Sequence, residues 1–368
     1  MANTEKENFL LRVLKATFPW KGDKWTEVLR KLIFMISAIV LIASVWTLIA
    51  NEAGRIEDHH NNNELSDLYH GSESSQSTDS TQPVSAESDT DENVTAESEE
   101  PQTEESAPTE DAPPEIREEF LPLLEINEDI VGWVTIGDKD DPLIDYVVVQ
   151  GEDNDYYLEH NYKKEKSRSG SIFADYRDSL KEGDEPDNIV LYGHNMASGE
   201  YFAKLIRFFN YRYGTMNEPE YYRQYPTITF STRYEEYTYK IFAGMMVNTQ
   251  ESEGDVFYYL RGRNFTDEQH FNEYIGQVLD RSTFYTDVDV RYGDPLLTLS
   301  TCILDYQNWD LRWVMYARRV RDGEDPSVDV SKAYTNPDPL FFDAYYRTYG
   351  GSWGGRKWPS ELLSSTEN

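Results

Sequence analysis

The stretch LLTLSTCILDYQNWDLRWVMYARRV (296–320) contains two apolar runs rich in β-branched and aromatic residues, separated by a short polar segment. Runs of this length and composition are typical of β-strands. If the two strands pair as antiparallel neighbours, Arg312 at the start of the second faces Cys302 at the end of the first. A permanent cation beside a thiol favours the thiolate, and it can also hold a carbonyl oxygen that becomes negative on nucleophilic attack.

Similar runs precede this pair along the chain, each bounded by turn residues, and they bring the number of predicted strands to eight. These runs are IVGWVTI (130–136), IDYVVVQ (144–150), SIFADY (171–176), NIVLYGHN (188–195), TITFSTR (227–233) and YTYKIFAGMMV (237–247). Eight short strands predict a mainly β barrel or sandwich. Apolar residues at helical spacing add helices at 114–126, 200–209 and 267–280.

Cys302 is the only cysteine, so its thiol is either structural and buried or reactive. Among the histidines outside the polar segment described below, His194 is the best placed to activate a thiol, because it follows the strand NIVLY through a glycine and precedes the turn-like NMASG. The competing interpretations are an ordinary core or surface histidine and a solvated strand-edge arginine. The sequence has no H-E-x-x-H motif and no paired cysteines, so we expect neither a metal site nor a cofactor.

Residues 32–50 read LIFMISAIVLIASVWTLIA, nineteen residues without a charge. A helix of this length matches the roughly 30 Å core of a bilayer, which predicts a transmembrane anchor. A cleaved signal peptide is the alternative, but no A-x-A type cleavage site follows. Seven Lys and Arg residues precede the apolar run and an acidic segment follows it. We therefore expect residues 1–31 to be cytoplasmic and everything after residue 50 to be extracellular.

Residues 51–113 form the polar segment. Between Ile56 and Ile116 there are eighteen Asp and Glu residues and no Lys or Arg, among Ser, Thr, Asn, Gln and Pro. Such a composition buries too little apolar surface to fold, and its like charges repel, so we expect a disordered acidic spacer. The net charge of the whole chain is −34, and the part after the spacer is acidic as well. This balance argues against nucleic acid as a partner.

One folded domain is predicted over residues 114–322, followed by an extension at 323–368. The extension contains PLFFDAYYRTYGGSWGGRKW (339–358), in which several aromatic residues share a helical face. We expect this face to pack back onto the domain. Contact with a cell-wall polymer or a partner protein is the alternative.

The motif TLSTC (298–302), together with YGHN (192–195) upstream and an arginine ten residues after the cysteine, resembles the sortases, and specifically class B. The resemblance covers roughly residues 115–322 and includes SIFADYR (171–177), DNIVLYGHNM (187–196) and the opening helix. It implies a closed eight-stranded β-barrel with added helices, here preceded by the membrane helix and the spacer. The long spacer and the carboxyl-terminal extension depart from the family pattern.

By motif match, the resemblance implies catalytic roles for His194, Cys302 and Arg312. It also implies a substrate groove, flanked by Tyr192, Ser300 and Thr301, with Asn154 and Leu158 matching the N-x-x-x-L of the class B substrate wall.

The implied activity is that of a cysteine transpeptidase on the outer face of a Gram-positive membrane. Such an enzyme cleaves a carboxyl-terminal sorting signal of a secreted protein after threonine, and then joins the protein through a thioacyl intermediate to a peptidoglycan amine on a lipid-linked precursor. Two other functions stay open on the residues alone. One is an exported cysteine peptidase or amidase that hydrolyses wall peptides, and the other is a non-enzymatic surface-binding module.

Overall fold

The computed structural model describes residues 12–76, 114–138, 140–212, 215–304 and 306–364. It divides into two compact units, Met1–Asn61 and Asn62–Asn368. The first unit contains a helical segment at residues 12–17 and most of the long helix α1 (Trp25–Gln76). Within α1, the apolar side chains of Ile33, Leu41 and Trp46 are exposed. Among the described residues, α1 is the one helix long and apolar enough to cross a membrane.

The end of α1 corrects the predicted start of the disordered spacer. Residues 51–76 are helical, and those from Asn62 onward belong to the same compact unit as the barrel. Leu65 and Tyr69, one helical turn apart, are buried, and the Tyr69 ring stacks on that of Trp133 with centroids 4.5 Å apart. The rest of the predicted spacer, residues 77–113, lies outside the described residues.

Asp145 on the barrel fixes this part of α1 with polar contacts. Its carboxylate accepts hydrogen bonds from the Ser66 hydroxyl at 2.8 Å and from the Trp133 indole at 2.7 Å, and it lies 3.0 Å from His70 Nε2. A narrow apolar stripe flanked by such contacts is enough to dock a helix whose remaining surface is polar. The average amino-acid composition of a long acidic segment does not reveal an apolar stripe of this kind.

The described part of the second unit contains eight strands that close into a barrel, and the predicted eight-stranded fold is confirmed. Numbered along the chain, the twelve described strands are β1 (Ile130–Asp138), β2 (Asp141–Val149), β3 (Ile172–Ala174), β4 (Asn188–Tyr192), β5 (Tyr211–Arg212), β6 (Thr215–Met216), β7 (Thr227–Thr232), β8 (Glu236–Asn248), β9 (Phe284–Tyr285), β10 (Leu296–Ile303), β11 (Leu311–Arg319) and β12 (Tyr334–Thr335). The barrel follows the order β1-β2-β3-β4-β10-β11-β8-β7, and β5, β6, β9 and β12 lie outside it.

The predicted helices appear in modified form. They are represented by a 3₁₀ turn at Glu118–Phe120 that leads into α2 (Leu121–Ile126), by a 3₁₀ helix at Phe202–Phe208, and by α4 (Glu268–Arg281). Pro122 falls in the first turn of α2, where a missing N–H costs no helical hydrogen bond. Two further short helices are α3 (Glu220–Gln224) and α5 (Asp343–Tyr349).

Strand alternation creates two packed layers around the barrel wall. On β11, Trp313 and Met315 point into the barrel core, whereas Val314 and Tyr316 join a second cluster that includes residues of α4. Successive side chains of a strand point to opposite faces. Even-numbered residues at this end of β10 and β11 therefore face outward, toward the layer that contains α4.

The described part of the extension, residues 323–364, packs back onto the domain, as expected. Phe341, Phe342 and Tyr345 are buried in the main core cluster, and β12 pairs with β9.

Candidate active site

Cys302 and Arg312 lie directly opposite each other in the antiparallel β10–β11 pair, which confirms the predicted register. Both side chains belong to the outward face of the barrel by strand alternation. Cys302 is partly exposed, and the Arg312 side chain is 28% exposed. A thiol and a guanidinium are thus neighbours on a surface that a substrate can reach.

Asp310 orients the Arg312 guanidinium. Arg312 Nη1 donates to Asp310 Oδ1 and, at 3.0 Å, to the carbonyl of Leu311. The Asp310 carboxylate is itself held by the Thr249 hydroxyl at 2.7 Å. Burial would lower the pKa of Arg312, but Cys302 and Asp310 outweigh that effect and raise it. Within the described ranges, Nε and Nη2 of Arg312 have no hydrogen-bond partner, so these donors are free for a ligand.

His194 is held beside Cys302 by the residues on either side of it. Strand β4 runs parallel to β10 and ends with Tyr192 opposite Ser300. The Gly193 carbonyl then accepts the Thr301 hydroxyl at 2.8 Å, and the Asn195 amide donates to the Cys302 carbonyl at 2.9 Å. Two hydrogen bonds therefore tie the segment around His194 to the segment that contains the cysteine.

A backbone carbonyl sets the orientation of the His194 ring. Nε2 lies 2.9 Å from the carbonyl oxygen of Leu158. Because a carbonyl only accepts, Nε2 carries the hydrogen in this contact, and Nδ1 is the ring nitrogen left to exchange a proton. Leu158 was predicted as part of the substrate wall, and here its backbone contacts the histidine while its side chain packs against a core cluster.

Asn154 and Tyr192, also predicted at the substrate groove, meet at a buried carboxylate. The Asn154 amide and the Tyr192 hydroxyl donate to Asp175 Oδ2 at 3.0 and 2.8 Å, and Arg177 donates to both carboxylate oxygens. Burial would raise the pKa of Asp175, but these hydrogen bonds, with Arg177 foremost, lower it to about 2. Asp175 is therefore ionised, and it fixes the wall of the site next to β4.

Ser300 and Thr301, the remaining predicted groove residues, differ in setting. The Ser300 hydroxyl lies 3.0 Å from the Tyr259 hydroxyl, on the outward face two residues before Cys302. Burial raises the pKa of Tyr259, which keeps this phenol protonated. Thr301 is buried, and its hydroxyl donates a hydrogen bond to the Gly193 carbonyl. Ser300 thus borders the site, whereas Thr301 supports it from beneath.

Four residues of the site were not found from the sequence: Asn195, Asp175, Tyr259 and Asp310. The first two belong to the motifs YGHN and SIFADYR, so their positions were visible although their roles were not. Tyr259 is brought to Ser300 by the long segment between β8 and β10, and no local sequence pattern indicates that the two residues meet. Within the part of the chain that the structure describes, no group of three or more metal-ligating side chains is found.

Comparison with known proteins assigns this arrangement to a family. A family model described as the sortase domain matches residues 140–320. Sortase B of Listeria monocytogenes is 37% identical to this chain over 188 residues, which cover 51% of this chain and 68% of that protein. The chain belongs to the sortase family. As a member of this family it is a cysteine transpeptidase, and the family anchors proteins to the cell wall.

Further relatives of this sortase support its class and its fold. Sortase B of Staphylococcus aureus is 29% identical over 206 residues, covering 56% of this chain and 76% of that protein. Because both relatives are sortase B proteins, the chain is assigned to class B. The structure of a Staphylococcus aureus sortase B–substrate complex is similar to this one, with 23% sequence identity and a TM-score of 0.53. The match covers 72% of this chain and 97% of the chain in that complex. That likeness concerns the fold.

Proposed function

We propose that this chain is a membrane-anchored class B sortase in which Cys302 is the nucleophile, His194 the proton-transfer residue and Arg312 the cation that holds the reacting carbonyl oxygen. The observation that carries the proposal is the register of β10 and β11, which sets Cys302 opposite Arg312. The hydrogen bonds from Asn195 and Thr301 support it further, because they hold the His194 segment against the cysteine strand.

In the first half-reaction, the Cys302 thiolate attacks the carbonyl carbon of the threonine in a sorting signal. The carbonyl oxygen becomes an oxyanion, which the free Nε and Nη2 donors of Arg312 stabilise. His194, which holds on Nδ1 the proton that Cys302 gave up in forming the thiolate, then gives that proton to the departing amine as the C–N bond breaks. The products are a thioacyl enzyme on Cys302 and the released carboxyl-terminal peptide.

In the second half-reaction, an amine attacks the thioacyl carbon. His194 takes the proton that the amine loses, and the C–S bond breaks to regenerate the thiolate. The proposed amine is a peptidoglycan amino group on a lipid-linked precursor. The product is a secreted protein joined by an amide bond to the cell wall. Attack by water in place of the amine would give a peptidase.

The apolar stretch at 32–50 is proposed to span the membrane, with residues 1–31 in the cytoplasm and the barrel outside the cell. The support is the length of the uncharged stretch, the exposure of its side chains in α1 and the excess of Lys and Arg before it. This arrangement keeps the enzyme close to both of its proposed substrates. Cysteine labelling from outside intact cells tests the orientation, with a single cysteine introduced at residue 5 or 58 of a Cys302→Ala chain. Labelling at 58 and not at 5 is expected, and the reverse would contradict the proposal.

Product analysis tests the proposed reaction. Purified enzyme is incubated with a sorting-signal peptide, with and without triglycine or a stem-peptide amine, and the products are separated by mass. The proposal predicts that the amine converts most of the product to the peptide–amine adduct. Hydrolysis product alone, at every amine concentration, would support the peptidase in its place. A Cys302→Ala variant that still cleaves would overturn both.

A further inference from the structure

The segment after β11 lies beyond the part of the chain that the sortase model matches, which ends at residue 320. It is nevertheless anchored to the barrel domain at several points. The Asn336 amide donates to the Ser282 carbonyl at 2.7 Å, and the backbone of Leu340 donates to the Asp280 carbonyl at 2.8 Å. Farther along, Arg356 forms an ion pair with Asp280. These contacts precede and follow α5, so α5 is held in place from both sides.

Between these anchors, α5 and the residue before it pack against the loop that joins Cys302 to Arg312. The Trp309 ring meets the Phe342 ring edge to face, with centroids 5.1 Å apart. The Tyr349 ring lies 6.4 Å from those of both Tyr306 and Trp309, and its hydroxyl accepts a hydrogen bond from Gln307 at 3.1 Å. Trp309 directly precedes Asp310, the carboxylate that orients Arg312.

The loop itself has a backbone that needs support. Gln307 and Asn308 both have positive φ, at 57° and 59°. Left-handed backbone is uncommon for residues other than glycine and costs free energy unless surrounding contacts hold it. The described neighbours of this tip include Tyr349, whose hydroxyl is the partner of the Gln307 side chain.

The extension also contacts a second loop, the one after β8 that contains Glu253 and Gly254, and this loop binds Asp310. The backbone N–H of Asp310 donates to Glu253 at 3.1 Å, and Gly254 packs so tightly on the backbone of Asp343 that an added Cβ would lie 2.5 Å from its nitrogen. Asp343 is the first residue of α5. Both loops around Asp310 therefore rest on one short helix.

We infer that α5, with Phe342, is an intramolecular clamp that fixes the Cys302–Arg312 loop, and that Tyr349 is a positioning residue acting on Arg312 through Trp309 and Asp310. This inference rests on the proposed function, because it assigns a catalytic role to Arg312. The clamp sets the guanidinium at the oxyanion position before substrate arrives. A displacement of about 1 Å at such a position lowers rates by up to about a hundredfold.

The kinetic test compares Tyr349→Ala with Tyr334→Ala in the full chain. Tyr334 belongs to the same extension but is 42% exposed, and its ring packs on Tyr285, away from the loop. We expect Tyr349→Ala to lower kcat by roughly ten- to a hundredfold with little change in KM, and Tyr334→Ala to match the wild type. Tyr349→Phe keeps the ring and should stay within about threefold of the wild type. Equal activity of Tyr349→Ala and Tyr334→Ala would overturn the inference.

A double-mutant cycle separates positioning of Arg312 from general destabilisation. If the clamp acts through Arg312, Tyr349→Ala should cause no further loss in an Arg312→Ala background. Losses that multiply would show that Tyr349 acts elsewhere. Should Tyr349→Ala fail to fold, Tyr349→Leu, which keeps apolar volume but removes the ring and its hydroxyl, carries the same expectations.

Hydrogen exchange gives a readout that does not depend on catalysis. In Tyr349→Ala, the amides of residues 304–311 should exchange faster by up to about tenfold, the factor that corresponds to one aromatic pair, while those of β4 keep their wild-type rates. Unchanged exchange in the loop would refute the clamp even if Arg312 is catalytic. Conversely, faster exchange together with a fully active Arg312→Ala would refute the proposed role of Arg312 and leave the clamp standing.

Discussion

Replacement of Arg312 by lysine separates its charge from its geometry. In the structure Nη1 of Arg312 donates hydrogen bonds to Asp310 and to the Leu311 carbonyl. The oxyanion is proposed to bind Nε and Nη2. Lysine has a single nitrogen at the end of a flexible stem. The nearby Asp310 carboxylate should capture that ammonium group, so we expect Arg312→Lys to lose most of the activity that Arg312→Ala loses.

The size of the effect follows from the loss of an oxyanion donor. Removing such a donor lowers kcat by about 10²–10³, equivalent to about 2.7–4 kcal/mol of transition-state stabilisation. The ion pair between Arg312 and Asp310 is partly exposed, so its loss should change the free energy of unfolding by about 1 kcal/mol or less. Activity should therefore fall far more than stability.

The assay measures cleavage of a fluorogenic sorting-signal peptide, alongside thermal unfolding. Arg291→Ala is the matched control. The Arg291 side chain is 48% exposed, and the residue lies just before the start of β10, at the opposite end of that strand from Cys302. Arg318 on β11 is unsuitable, since it is buried and paired with Glu324. Adding Asp310→Asn to Arg312→Lys should restore part of the rate by freeing the ammonium group. An Arg312→Ala enzyme that cleaves within about threefold of the wild type, far short of the loss expected for an oxyanion donor, would refute this reasoning.

Two further predictions concern stability. A soluble fragment beginning at Ala112 should keep full peptide-cleaving activity but unfold at a lower urea concentration than one beginning at residue 51, because burial of Leu65 and Tyr69 contributes about 3–6 kcal/mol. Equal urea midpoints would show that the docked helix adds no stability. A shorter fragment that is folded but inactive would show that the removed residues contribute to the site. The pKa of Asp175 is lowered to about 2 from 3.8 on folding, so its stabilisation is complete above about pH 5 and is lost as the pH falls toward 2. The wild type should thus lose about 2 kcal/mol more than Asp175→Asn between about pH 6 and pH 2 in urea unfolding, and parallel losses would contradict the assigned pKa.

Strands and their local pairing could be predicted because the information lies in short patterns. Leu297, Leu299 and Trp313 face the core from runs of the right length, and the excursion between β10 and β11 is short enough that antiparallel pairing, and with it the Cys302–Arg312 register, follows. The neighbouring position of β4 could not be derived in this way. It pairs in parallel with β10, more than a hundred residues away, so only the motif resemblance indicated that His194 approaches the cysteine.

The features that could not be predicted have physical causes as well. The helix docked through Leu65 and Tyr69 was assigned to a disordered spacer, because two buried side chains scarcely change the composition of a long acidic segment. The contacts of Asn154 and Tyr192 with Asp175 could not be predicted either. A buried carboxylate attracts any donor that the fold brings near, and the sequence does not show which donors those are.

Intact-protein mass spectrometry of the reacting enzyme tests the central claim most directly. The wild type is mixed with a sorting-signal peptide without amine, quenched in acid, and digested to locate any adduct. We predict an added mass equal to the peptide up to its threonine, on Cys302, absent from Cys302→Ala and discharged as peptide–amine product when triglycine is supplied. Cleavage by Cys302→Ala at the wild-type rate, or wild-type turnover with no adduct on Cys302, would contradict the account.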